Sequence, residues 1–219
     1  MINFNKLLFF SAFILFLFSV NALATAQIGD KLIFDGKEYR IQTTPLETYF
    51  GENPNLRPET AVHSTNLWRG YIATFEIANK SLKLADIQIQ TVNDKNDVEL
   101  KSVFDKYINA GGTSDISWFT GYLIAPYGKM VDYEPMGFGS TFEHYLLISV
   151  ENGEQKRTFN FSGRQFSEFR AKQFENYKKT PEYRAKVTFL LKDRGFTANE
   201  ADEFLRDFVV DYISAVPAK

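Results

Sequence analysis

The residues with the clearest potential for acid–base chemistry are His144 and two carboxylates near it in sequence, Glu143 and Asp132. Histidine changes its charge near neutral pH, and a carboxylate beside it can orient the ring and stabilise its protonated form. Together with a hydroxyl such as that of Ser140, this is the combination that hydrolases use to activate a nucleophile. His144 with Glu143 and Asp132 therefore predicts a hydrolase site as one alternative.

The pattern around His144 also limits that hypothesis. Successive side chains of a strand point to opposite faces, so Ser140 and His144 fall on one face and Glu143 on the other. The G-x-S-x-G turn that exposes a nucleophilic serine is absent. His144 shares its face with Phe142 and Leu146, and a lone histidine on an apolar face is most often a core residue. Catalysis is therefore the second choice for this chain.

Metal and cofactor sites find little support in the sequence. The chain has two histidines and no cysteine, which excludes thiolate zinc sites and disulfides. Residues 94–97 begin like a calcium-binding loop, but Val98 and Glu99 stand where that loop needs a ligand and a glycine. Neither a phosphate-binding P-loop nor a dinucleotide-binding motif occurs. We expect no metal and no cofactor.

Aromatic side chains and one arginine give a different signal, that of a binding surface. Tryptophan, tyrosine and arginine are enriched at the centres of protein interfaces. Ordinary core packing is the commoner role of each tryptophan taken singly. Tyr127 and Phe138, however, lie near Trp118 and Tyr133 in the sequence and add to the aromatic side chains there. The predicted binding residues are Trp68, Arg69, Tyr71, Trp118 and Tyr133.

The start of the chain predicts export. Lys6 precedes an apolar run from Leu7 to Val20, and the small residues that follow allow signal-peptidase cleavage after Ala24 or Ala26. Residues 1–24 are therefore a predicted signal peptide, and the mature chain is expected in the periplasm or outside the cell, with no membrane span left after processing. The alternative is an uncleaved anchor, which would make the protein a structural component of the envelope.

Local signals place several strands and turns. The pairs Asp35-Gly36 and Asn152-Gly153 each predict a two-residue hairpin turn. The apolar positions change phase across Ala85-Asp86, which predicts a β-bulge. Residues 126–128 predict a turn with a short return strand after it, and residues 116–124 predict a central strand covered on both faces.

Other segments predict loops and helices. The proline-containing stretch Thr43–Thr65 is expected to be a long loop that takes part in binding, followed by a strand over residues 67–78. Apolar residues between Leu100 and Ile108 have helical spacing behind Asp97 as a cap. Three helices are predicted after residue 163, the second capped by Thr180-Pro181 and the third by Thr197 with Glu200.

These elements predict an α+β fold, with a mainly antiparallel sheet, one helix packed on it and a C-terminal segment of three helices. The predicted division is a β-rich domain over residues 25–162 and a helical segment over 163–219. With 25 basic and 27 acidic residues, the chain is not expected to bind nucleic acid. The leading function is an exported binding protein with a protein partner in the envelope, such as an inhibitor or an immunity-type protein.

Overall fold

The fold was obtained as a computed structural model, which describes residues 25–208. The predicted signal peptide lies outside these residues, as does the end of the predicted last helix. The described part is α+β, as predicted. Its strands are β1 (Asp30–Phe34), β2 (Lys37–Ile41), β3 (Tyr71–Ala78), β4 (Ser81–Val92), β5 (Val98–Ser102), β6 (Gly121–Asp132), β7 (Thr141–Glu151) and β8 (Glu154–Ser162). Its helices are α1 (Pro45–Glu52), α2 (Phe104–Asn109), α3 (Gly163–Tyr177), α4 (Pro181–Asp193) and α5 (Ala198–Phe208), with a single 3-10 turn at Pro54–Leu56.

The strands form one sheet in the order β2-β1-β3-β4-β8-β7-β6, with β5 paired to β4. β1 and β3 run parallel, and the other neighbours pair antiparallel. The two ends of this sheet meet, because the Gln42 backbone N–H donates to the Ile124 carbonyl at 2.8 Å. The Thr43 hydroxyl adds a bond to the Tyr122 carbonyl and accepts one from the Ile124 N–H. The sheet therefore curls into an incompletely closed barrel.

The predicted turns and bulge are confirmed. Asp35 and Gly36 have φ angles of 50° and 70°, and Asn152 and Gly153 have 51° and 74°. Positive φ at both central residues is the geometry that a two-residue turn needs to match the twist of its strands. In the β3–β4 pair, Thr74 lies opposite Asp86 and Phe75 opposite Leu84, so Ala85 is the extra residue of a bulge.

The predicted long loop over residues 43–65 is wrong in its first half. Residues 45–52 form α1, which begins with proline at its first position and buries Leu46 and Phe50 against the barrel core. Proline suits the first turn of a helix, since the N–H that it lacks would have no partner there. The predicted strand over 67–78 begins only at Tyr71.

Two further predictions are corrected in the middle of the chain. Residues 98–102 form β5 rather than the start of a helix, because the Asn93 side chain accepts hydrogen bonds from the Lys95 and Asp97 N–H groups and turns the chain back onto β4. The predicted turn at 126–128 is a bulge inside β6, where Gly128 has a φ of 80° and the register to β7 shifts. The strand predicted over 116–124 begins at Gly121.

The two faces of β6 and β7 contact different parts of the molecule. Leu123, Leu146 and Ile148 point into the barrel core. Ile124 and Leu147 point outward against the C-terminal helices. The predicted caps of α4 and α5 are confirmed, since Thr180 accepts from the Tyr183 N–H and Thr197 pairs reciprocally with Glu200. The predicted cap at Asp97 is wrong, because α2 begins at Phe104, directly after Val103. Among residues 25–208, no helix is long and apolar enough to cross a membrane.

Candidate functional site

Arg69, predicted as a binding residue, lies in the interior and pairs with Asp30. Both side chains are fully buried, and the Arg69 Nη2 donates to Asp30 Oδ1 at 3.1 Å and to the Ile28 carbonyl at 2.9 Å. Asp30 Oδ1 also accepts from the Ala73 N–H. The other carboxylate oxygen and Arg69 Nε and Nη1 have no hydrogen-bond partner among the described residues. This pair therefore holds β1 to the chain that enters β3, and Arg69 is not available to a partner.

Burial also changes the acidity of this site. Removal of Asp30 from water raises the pKa of its carboxyl from 3.8 to about 6, although Arg69 and the Ala73 N–H favour the charged form. Tyr71 lies next to the pair, fully buried, and its hydroxyl donates to Glu47 Oε1 at 2.7 Å. Arg57 donates to the other oxygen of Glu47. Tyr71 is therefore a member of an interior polar network rather than of a binding surface.

Trp118 is half-buried beside α1. Its ring stacks on Tyr49 with 4.9 Å between the ring centres and packs edge-on against Phe119. The contact with Tyr49, a residue of the predicted loop, is one that no local pattern indicates. Trp118 thus helps to fix α1 on the barrel.

Trp68 and Tyr133 differ from the other three predicted binding residues, since the side chain of each is 61% exposed. The segments that carry them meet at residues 25–28. Gln27 accepts a hydrogen bond from the Trp68 N–H and donates its own backbone N–H to the Gly137 carbonyl. Trp68 therefore lies at the same end of the barrel as the loop that follows Tyr133.

The largest group of exposed apolar side chains near Tyr133 lies on the second half of β6 and includes Tyr133, which directly follows the strand. We call these residues the aromatic ribbon: Tyr127, Met130, Val131 and Tyr133, with exposed fractions of 37%, 51%, 68% and 61%. The segment pairs with the start of β7, where Tyr127 lies opposite His144 and the two rings stack at 5.2 Å. Four large apolar side chains are therefore exposed within seven residues, and exposed apolar surface at this density is typical of interaction sites.

The free edge of this ribbon is unsuited to pairing with another strand. Pro126 lacks an N–H group, and the bulge at Gly128 interrupts the register. Lys129 and Asp132 place charges on the same stretch. Proline, bulges and charges are the features by which natural sheets prevent edge-to-edge association. The ribbon therefore presents its side chains, rather than its backbone, to a partner.

The structure does not join the residues of the hydrolase alternative. His144 is exposed and stacks on Tyr127, which corrects the expectation of a core histidine. Glu143 Oε2 accepts from the Lys129 N–H at 3.0 Å. Asp132 lies opposite Thr141, and Thr141 precedes Glu143 by two residues. Within residues 25–208, no hydrogen bond or ion pair connects His144 with either carboxylate, and Ser140 is buried and bonded to the Glu134 backbone.

Met130 and Val131 were missed as candidate binding residues. The signal that could have found them is the short spacing of Pro126 and Gly128, because proline and glycine close together inside a strand pattern mark an edge strand with a bulge. The described part of the chain contains no group of three or more histidine, aspartate or glutamate side chains that could hold a metal ion.

Comparison of the chain with protein families, with curated proteins and with solved structures finds no match.

Proposed function

We propose that the protein is an exported binding protein that recognises another protein of the envelope through the aromatic ribbon. One observation carries the proposal, the exposure of Tyr127, Met130, Val131 and Tyr133 at the end of β6, which is the last strand in the sheet order. Removing such side chains from water is the main driving force of protein association. Tyrosine and methionine are also enriched in interfaces relative to the rest of the protein surface.

The chemistry of the patch favours a protein partner. The ribbon mixes aromatic and flexible apolar side chains with one cation and one anion, Lys129 and Asp132. The whole chain has a net charge of −2, so no general electrostatic attraction to nucleic acid is expected. A partner with an apolar centre and a mixed polar rim fits this composition.

The test compares two exposed hairpins of the same chain. In the ribbon variant, Tyr127, Met130 and Tyr133 are replaced by serine. In the control variant, serine replaces Val92, Val98 and Leu100, which are 45–58% exposed on the β4–β5 hairpin. Proteins captured from an envelope extract by the wild-type chain are identified by mass spectrometry, and the affinity of each purified candidate is then measured for all three chains.

We expect one partner whose affinity falls at least about thirtyfold with the ribbon variant and changes less than about twofold with the control variant. Equal loss with both variants would show that general surface hydrophobicity, rather than the ribbon, drives capture. A partner that binds all three chains equally would contradict the proposal, because its contact would lie elsewhere.

Export is the second part of the proposal and has its own test. Thr25 contacts Thr65, and Ala26 and Gln27 contact the loop at Gly137, so the chain from residue 25 onward is part of the folded body. The intact mass of protein from the periplasmic or culture fraction should correspond to a chain that begins at Thr25. A chain that begins at Gln27 would show cleavage after Ala26, with loss of the contacts that Thr25 and Ala26 make. A full-length, membrane-bound product would contradict export with cleavage.

A further inference from the structure

A cleft beside the ribbon has the features of a site for a small molecule. It measures about 430 Å³ and lies between the loop before β7 and the first two turns of α3. This volume falls in the range of small-molecule sites, about 300–1,000 Å³. Aromatic rings form much of its wall. The aromatic residues that line it are Phe138, Phe142, Tyr145 and Phe166.

The polar groups of the cleft favour an anion. Two cations line it, Arg164 and Arg170, against one carboxylate, Glu143, whose Oε2 already accepts from the Lys129 N–H. Arg164 stands at the rim with an exposed ion pair to Glu168, which screens its charge only weakly. Arg170 donates to the Arg206 and Asp207 carbonyls, and its positive charge acts on the Tyr145 hydroxyl, where it favours a negatively charged group.

Tyr145 supplies a hydrogen-bond donor that has no acceptor among the described residues. Its side chain is buried, 3% exposed, and its ring stacks on Phe166 with 3.8 Å between the ring centres. The hydroxyl oxygen accepts from the Phe142 N–H at 3.0 Å, while the hydroxyl proton is donated to no other residue of 25–208. Burial raises the pKa of this phenol, so it keeps its proton. A buried donor without an acceptor is costly unless a ligand or solvent oxygen completes it.

We propose that this cleft binds a small amphipathic monocarboxylate, with the apolar tail against the phenylalanine rings and the carboxylate accepting a hydrogen bond from Tyr145. The aromatic wall accounts for the tail, and the Tyr145 donor with the Arg170 charge acting on it accounts for the anionic head group. The cleft shares one residue with the ribbon, Val131, and the ribbon variant leaves that residue unchanged.

The experiment uses sodium decanoate and 1-decanol as probes, which share a chain and differ in the head group. Calorimetric titration of each probe into the wild-type chain is compared with Tyr145→Phe, which removes the hydroxyl and keeps the ring. Tyr127→Phe is the matched control, because it removes a tyrosine hydroxyl that does not line the cleft. Melting temperatures are recorded for all chains.

We expect saturable binding of one decanoate per chain and about tenfold weaker binding of decanol. Tyr145→Phe should weaken decanoate about tenfold and decanol clearly less, since a hydrogen bond to a charged acceptor contributes more than one to a neutral hydroxyl. The ratio of the two affinities, measured within one protein, is insensitive to a general loss of stability. The ribbon variant should bind decanoate as the wild type does.

Three results would overturn the proposal. They are the absence of saturable decanoate binding, an unchanged decanoate-to-decanol ratio in Tyr145→Phe, and an equal change of that ratio in Tyr127→Phe. Each can occur while the ribbon still binds its protein partner, so failure of this site and failure of the proposed function are separable.

Discussion

The dipeptide Trp68-Arg69 joins two opposite environments. Arg69 lies in the interior, paired with Asp30, whereas the Trp68 side chain is 61% exposed. The same contrast separates the whole Asp30–Arg69 site from the aromatic ribbon. The interior site has charged groups where apolar ones are normal, and the ribbon has apolar groups where charged ones are normal. We expect the first arrangement to affect stability strongly and the second to affect it little.

The largest expected effect is the loss of stability in Arg69→Ala. This change leaves a buried carboxylate without its cation, which typically costs about 4 kcal/mol. Arg57→Ala is the comparison, because the Arg57–Glu47 pair is only partly buried, with side chains 35% and 21% exposed, and its loss should cost about 1 kcal/mol. Unfolding by urea, followed by circular dichroism at pH 8, measures both. Equal costs would mean that burial does not distinguish the two pairs.

The second prediction concerns pH. Because burial raises the pKa of Asp30 to about 6, its favourable contribution is complete below pH 3.8 and is lost as the pH rises through 6. Relative to Asp30→Asn, the wild type should therefore lose up to about 3 kcal/mol of unfolding free energy between pH 4 and pH 7. Urea titrations at half-unit pH steps test this. A difference between the two chains that is constant with pH would show that Asp30 titrates alike when folded and unfolded.

A third prediction extends the contrast to the backbone. Gly36 and Gly153 both have positive φ, but a Cβ at Gly36 would meet open space, whereas one at Gly153 would lie 2.8 Å from the Ile116 carbonyl oxygen. Gly36→Ala should cost about 1 kcal/mol from φ strain alone, and Gly153→Ala should cost at least about 1 kcal/mol more. Thermal melts of the two variants give the comparison. Similar melting temperatures would indicate that the turn at Gly153 can move away from residues 116–117.

The smallest expected effect on stability is that of the ribbon variant. Replacement of exposed Tyr127, Met130 and Tyr133 by serine should change the unfolding free energy by less than about 1 kcal/mol. The same urea titrations measure it. A loss comparable to that of Arg69→Ala would mean that the ribbon is part of the structural core, and it would remove the basis of the proposed function.

The sequence by itself determined the features that depend on a few neighbouring residues. Asp35-Gly36 and Asn152-Gly153 form their turns because these residue pairs tolerate positive φ, and Thr180 and Thr197 cap helices through bonds to residues three positions away. The bulge at Ala85 follows from a change of phase in the apolar pattern. Such interactions are complete within one turn or one strand pair, so they could be predicted together with the α+β class.

The tertiary structure alone decided which candidate residues face the solvent. Trp68 and Arg69 have the same local context, and Arg69 turns inward because Asp30, 39 positions earlier, supplies its carboxylate. Trp118 is covered because α1 brings Tyr49 onto it. Tyr127 and Tyr133 stay exposed because β6 extends beyond the point where β2 closes the barrel. Burial depends on contacts between distant segments, and for this reason the ribbon became visible only in the folded chain.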